Sequence, residues 1–180
     1  MNPQIRYGED LMSRVSYVMM HPEGAELLTD AIREAINGLF IELSGEASSQ
    51  IEDILEIALV ANPIMHHILL GINPVNLGTA PFALTTSEAV DTRAAEVGLT
   101  AHPEARLYCL PCIAGHVGAD AAGVILAEAP DRSEAMTLVV DVGTNAEIVL
   151  ANNQRLLVCS SPTGPAFEGA QISAGQRATI

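Results

Sequence analysis

The sequence predicts an α/β layered domain, on three observations. Short β-branched apolar runs alternate along the chain with stretches whose apolar residues return at helical spacing. The chain is 49% hydrophobic but only 3% aromatic and has no Trp, so its core is built from Ala, Val, Ile and Leu. Such small side chains suit helices packed closely on a sheet. Finally, 180 residues are enough for one domain with a real core, or for two small lobes.

The elements follow in order. Leu27, Leu28, Ala31, Ile32, Ala35, Ile36, Leu39, Phe40 and Leu43 recur on one face and predict a helix from Glu23 to Leu43. His21-Pro22 suits its entry, and Gly45 is expected just past its end. The run from Ile54 to Val60 predicts a strand, Asn62-Pro63 a helix start with Pro at the first helical position, and Gly71 the stop of that short helix. Asn73 to Thr86, rich in Pro, Gly and Thr, reads as a long loop, and Ser87 to Val97 as a helix ending near Gly98. Arg106 to Leu110 predicts a strand, Pro111 to Gly118 a turn, and Ala119 to Ala129 a helix dense in small residues that Pro130 ends. Three strands, Thr137–Asp141, Glu147–Ala151 and Arg155–Cys159, complete the series, with Asn152-Asn153 as the second reversal.

Charge and composition exclude several functions. The net charge is −14, there is no Lys, and all eight basic residues are Arg. Phosphate-backbone neutralisation needs clustered cations, which argues against nucleic acid or an anionic membrane as partner. The absence of Lys also removes a Walker-type phosphate loop. The polar start "MNPQIRYGEDLMSR" is not a secretory signal, and the most apolar segment, Ile54 to Ile72, is interrupted by Glu56, Asn62, Pro63, His66 and His67. Three cysteines form no disulfide framework, so a cytoplasmic location is expected.

The stretch from Leu138 to Leu150 concentrates the chemistry. An apolar run ends in Asp141, turns through Gly143, Thr144 and Asn145, and re-enters the core. Gly143 lets the backbone approach a ligand with no Cβ in the way. The amides of Gly143, Thr144 and Asn145 can point at phosphate oxygens, Thr144 adds a hydroxyl, and Asp141 can take Mg²⁺ directly or through water. The alternative is an ordinary Asp-initiated turn between two strands.

"DVGTN" (141–145) resembles the second phosphate motif of the actin, sugar-kinase and heat-shock chaperone ATPase superfamily. The small-residue helix in "PCIAGHVGADAAGVILAEA" stands where that superfamily joins its two lobes. Together, "NPQIRYGEDLMSRV", "MHHILLGINPVNLGTAPF", "PCIAGHVGAD", "DVGTNAEIVL" and "GPAFEGAQISAG" resemble the ATPase domain of the reductive activators of corrinoid proteins, over nearly the whole chain.

That resemblance implies a ribonuclease H-like, actin-like ATPase fold: a mixed sheet with flanking helices, incomplete at both ends. Residues 1–130 would be the end of the first lobe with the inter-lobe helix, and 131–180 the start of the second. It implies ATP and Mg²⁺ as cofactors and Asp120 and Asp141 as catalytic groups, with Asp141 on the metal. Gly143, Thr144 and Asn145 would hold phosphate. The partners implied are a corrinoid protein, returned from cob(II)amide to cob(I)amide, and a ferredoxin-type domain whose iron–sulfur cluster lies outside this chain; pairing of two chains stays open. An earlier phosphate motif and a later adenosine motif of the family are not among these residues, and Ala61 replaces the Gly of the family's "VGN". A fragment of this kind is expected to be inactive alone. A non-catalytic interaction module and a small-molecule kinase of the same superfamily are the competing readings.

Other candidates read more plainly. Cys109 falls inside the apolar run Leu107–Leu110 and is expected to be buried, not a redox thiol paired with Cys112. His66 and His67 point about 100° apart on a helix, so one is expected to pack and the other to be solvated. His116 reads either as a group near the nucleotide or as a turn residue beside Gly115. Asp120 reads either as a helix-opening carboxylate or as a group orienting Mg²⁺ or water, Glu9 and Asp10 either as cleft-facing groups or as a solvated helix start, and Glu168 as the start of a helix near the nucleotide.

Overall fold

A computed structural model describes residues 2–143 and 145–163. Thr144, Glu168 and the rest of the tail lie outside the described residues. The chain divides into two compact units, Met1–Asp120 and Ala121–Ile180.

The first unit opens with a short 3-10 turn, Pro3–Tyr7, and helix α1, Leu11–Met20. Asp10 caps α1 in a capping box: its carboxylate accepts from Ser13 N at 2.7 Å, and the Ser13 hydroxyl accepts from Asp10 N at 3.0 Å. Helix α2, Gly24–Glu46, matches the expected periodicity but continues through Gly45. No atom lies within 4 Å of where a Gly45 Cβ would be, so this glycine is an open surface position and not a stop. Strand β1, Glu56–Leu59, leads to α3, Pro63–Leu69, where Asn62 Oδ1 accepts from Met65 N at 2.9 Å and Pro63 takes the first position, as the sequence predicts. Gly71, at φ +74°, ends it.

Leu28, Val15, Val18, Ile64, Ile68 and Leu77 form the core between α1, α2, α3 and the loop after α3. Burying one leucine of this kind contributes about 1.5–3 kcal/mol. Side chains from α2 answer the carbonyls at the end of α3: Thr29 Oγ1 donates to Ile68 O at 2.8 Å, and Arg33 donates to Leu69 O from Nε and Nη2 at 3.0 and 2.8 Å.

The expected helix from Ser87 to Val97 does not form. Val90–Arg93 is strand β2, followed by a 3-10 turn over Ala94–Val97 that Gly98 closes at φ +72°. Val90-Asp91-Thr92-Arg93 alternates apolar or β-branched with charged residues, a period of two that outweighs the helix-favouring alanines around it. Strand β3, Arg106–Cys109, lies between β1, its parallel partner, and β2, its antiparallel partner. One face of this mixed sheet buries Leu107 and Cys109 over Ile57, Leu59 and Val90; the other carries Arg93, Arg106, Asp91 and Glu104 in ion pairs.

Helix α4, Ala119–Glu128, follows, and Pro130 opens a short 3-10 turn after it. The second unit takes in most of α4 and an antiparallel meander, β4 (Thr137–Val142), β5 (Asn145–Asn152) and β6 (Arg155–Pro162), in the order β4-β5-β6. Its strands are longer than the sequence suggests because the ladder runs to the closing pairs Val142–Ala146 and Asn145–Pro162.

Candidate functional site

The β4–β5 hairpin places the acid and the glycine of the "DVGTN" stretch at one end of the meander. Asp141 is the last but one residue of β4, half-buried, and Gly143 is exposed in the turn. The register sets Asp141 directly opposite Glu147, and Glu147 opposite Ser160. Ser160 Oγ donates to Glu147 Oε1 at 3.1 Å. Two carboxylates facing each other across a ladder repel, and a hard divalent cation is the group that reverses the sign of that interaction. In the sequence Glu147 reads only as the first residue of the strand Glu147–Ala151, ahead of the apolar run Ile148–Leu150. Its signal is symmetry about the turn, three residues after Thr144 as Asp141 is three before it.

The turn itself corrects one expectation. The Gly143 N–H donates to Asn145 O at 2.8 Å, so it does not point outward. Gly143 O accepts from Thr163 Oγ1 at 2.6 Å. What Gly143 offers instead is bare backbone: its φ is outside the left-handed range, and a Cβ there would meet nothing closer than Asn145 O at 3.6 Å. The fold does not require glycine at this position. Asn145 begins β5, half-buried; Thr144 lies outside the described residues.

Asp120 belongs to the first unit. It occupies the second position of α4, not its cap, and still lies in the first turn, where a carboxylate offsets the helix dipole. Its amide donates to Ala61 O at 3.2 Å. Its side chain folds back over Gly118, where a Cβ would meet Asp120 Oδ1 at 2.5 Å and Ala61 O at 2.7 Å. Gly118 is therefore required by close approach, and α4 starts against the segment that leaves β1. These are the carboxyl ends of the parallel strands β1 and β3, where open α/β sheets bind ligands.

The remaining candidates resolve as follows. Cys109 and Cys112 are buried, and burial pushes the Cys109 thiol up to about 11 and raises that of Cys112, so neither is a nucleophilic thiolate. Among the described residues no group of three His, Cys, Asp or Glu could hold a metal ion, and these two thiols do not fit an iron–sulfur cluster. Both His66 and His67 are fully buried, which corrects the expectation that one is solvated. His67 Nδ1 lies 2.8 Å from Pro63 O and Nε2 accepts from Thr85 N at 3.1 Å, which assigns the proton to Nδ1 and keeps the ring neutral. Neither ring nitrogen of His66 has a hydrogen-bond partner among the described residues. Desolvation is the largest cause lowering the pKa of both rings; at His66 the neighbouring His67 lowers it further and the Leu110 backbone raises it, and at His67 the Pro63 backbone raises it. The His116 ring packs tilted against Phe82, with centroids 4.4 Å apart, and a Cβ on Gly115 would collide with Phe82 O, so His116 serves to join two loops.

Residues 1–133 match the family model described as the RACo middle region, and residues 135–180 match that of the C-terminal domain of RACo, the ASKHA domain. The chain belongs to the RACo family. A RACo relative, the corrinoid activation enzyme RamQ of Eubacterium limosum, is 34% identical over 179 residues, 99% of this chain and 30% of that protein. The [Co(II) methylated amine-specific corrinoid protein] reductase of Methanosarcina barkeri is 39% identical over 69 residues, 38% of this chain and 13% of that protein. A solved structure, a reductive activator for corrinoid, iron-sulfur protein, superposes with a TM-score of 0.87 at 34% identity, over 99% of this chain and 28% of that one. The chain thus spans less than a third of the length of these relatives. Its fold is the actin-like ATPase fold of RACo, with one mixed and one antiparallel sheet. Among the described residues no helix is long and apolar enough to cross a membrane.

Proposed function

We propose that this chain is the nucleotide-binding part of an ATP-dependent reductive activator, which returns a corrinoid protein from cob(II)amide to cob(I)amide by one electron from a ferredoxin-type donor domain. Residues 1–130 act as the end of the first ATPase lobe and 131–180 as the start of the second. The observation that carries the reading is the hairpin in which Asp141 faces Glu147 beside a Gly143 that the fold itself does not need. Bound Mg-ATP would supply the charge and the hydrolysis energy that bias lobe closure. Asp141 holds the cation, with Glu147 opposite it. Gly143 keeps the approach to the turn clear of a side chain. Thr144 and Asn145 donate to phosphate oxygen, and Asp120 orients the attacking water. The family match and the relatives' names support the corrinoid client.

The test uses the full-length protein. Asp141→Ala is expected to abolish Mg-ATP binding in titration calorimetry and corrinoid reactivation with it. Gly143→Ala is the sharper variant, because the added Cβ has room in the fold. It is expected to leave the melting temperature unchanged or slightly higher, yet to weaken Mg-ATP binding about tenfold or more. Wild-type affinity in both variants rules out the hairpin as the phosphate site.

A further inference from the structure

Arg14 carries a charge that the chain around it does not answer. It lies on α1 with 6% of its surface exposed, the buried arginine among the described residues. Its Nε donates to Gly8 O at 3.1 Å, and its Nη1 lies 3.4 Å from Met65 Sδ. A carbonyl and a thioether are weak partners for a guanidinium with five N–H donors. Arg93 and Arg106, by contrast, sit exposed beside Glu96, Glu104 and Asp91. No carboxylate among the described residues lies within 4.0 Å of Arg14. Desolvation lowers its pKa, and the pull of Asp10, the cap of its own helix, is the smaller effect. Buried charges are ordinarily paired, because an uncompensated one is costly.

The guanidinium is nevertheless not sealed. The fully enclosed side-chain atoms without partners are Gln4 Oε1 and the two His66 nitrogens, so Nη2, for which no bond is found among the described residues, keeps a path to solvent. Met65, which Nη1 touches, is the residue whose N–H Asn62 caps, and Asn62 packs against Gly118 at the carboxyl ends of β1 and β3. In a molecule of net charge −14, a lone buried cation with one open edge is a receptor for an oxyanion.

We propose that Arg14 is the centre of an oxyanion subsite in the first unit, receiving a phosphate or carboxylate group on its Nη2 edge. The proposal is independent of the nucleotide reading, which rests on the β4–β5 hairpin.

The test is thermal unfolding of this 180-residue chain in sodium phosphate and in sodium acetate, against sodium chloride of equal ionic strength. Arg14→Met and Arg14→Lys run beside the wild type. The wild-type melting temperature is expected to rise by a few degrees at about ten times the dissociation constant of the bound anion. Arg14→Met is expected to melt at or above the wild-type temperature in chloride, because an unpaired buried charge has been replaced by an apolar chain of similar length, and to lose the anion response. Arg14→Lys keeps a weaker response. A phosphate constant at least tenfold tighter than that of acetate assigns the subsite to phosphate, a tighter acetate constant assigns it to carboxylate, and equal constants show an oxyanion subsite that takes either. Absence of any response in the wild type, or an equal response in Arg14→Met, overturns the proposal.

Discussion

The two sheets among the described residues have three strands each and opposite relations to water. In the mixed sheet β1-β3-β2 the alternation is strict: Leu107 and Cys109 are fully buried, while Arg106 and Tyr108, which alternate with them along β3, are exposed. The meander β4-β5-β6 is apolar on both sides. Val149 and Ala151 are buried on one face, yet Leu138 and Val142, on the other, are 61% and 71% exposed, with Val140, Leu150 and Leu157 beside them. A sheet with one wet face is complete as it stands; a sheet with two apolar faces is built to be covered. The first unit has closed even around polar groups, enclosing both imidazoles of α3.

Substitutions can break that comparison. Leu107→Ala is expected to cost about 2–5 kcal/mol in denaturant unfolding, since the side chain is enclosed. A loss under 1 kcal/mol would show that the first sheet is as open as the second. His67→Phe is expected to cost about 1–3 kcal/mol, because it strands the Thr85 N–H and the Pro63 carbonyl. His66→Phe removes only unpartnered nitrogens and is expected to be neutral or stabilising.

The same histidines make a pH prediction. Both have folded pKa values below the ordinary 6.5, so the unfolded chain takes up protons first as pH falls. Their contribution is present above about pH 6.5 and lost below it, at up to about 1.4 kcal/mol per histidine per pH unit. Unfolding free energies between pH 7.5 and 5.5 are expected to show this slope, and His66→Phe to reduce it. The smallest effect belongs to the meander. Val140→Thr, on its exposed face, is expected to change the stability of this chain by less than about 0.5 kcal/mol. A larger loss would mean that this face is already covered.

The parts of the fold legible in the sequence are those whose signal is local. Asn62-Pro63 and Gly71 bracket α3, the helical period marks α2, and Asn152-Asn153 marks the β5–β6 reversal. Strand β2 was illegible because Val90–Arg93 is held by pairing with β3, more than a dozen residues away, against the helix preference of its neighbours. The site shows the same division. Asp141, Gly143 and Asn145 stand together in sequence and in the hairpin. Glu147 becomes visible only through register, and the buried state of both histidines only through the packing of α3.

The parallel pairing of Glu56 with Arg106 also sets an order of events in time. The meander's contacts are local, and hairpins of that kind close in about 1–10 μs, whereas β1 must wait for a partner half a hundred residues downstream. During synthesis the helices α1, α2 and α3 can assemble while β1 still lacks its neighbour, leaving Ile57 and Leu59 uncovered until Cys109 has emerged from the ribosome. Pulse-labelled hydrogen exchange during refolding is expected to protect the amides of Ile148 and Val149 before that of Leu107. In refolding of the whole chain, the first unit, closed in its finished state, is on this view the last to close.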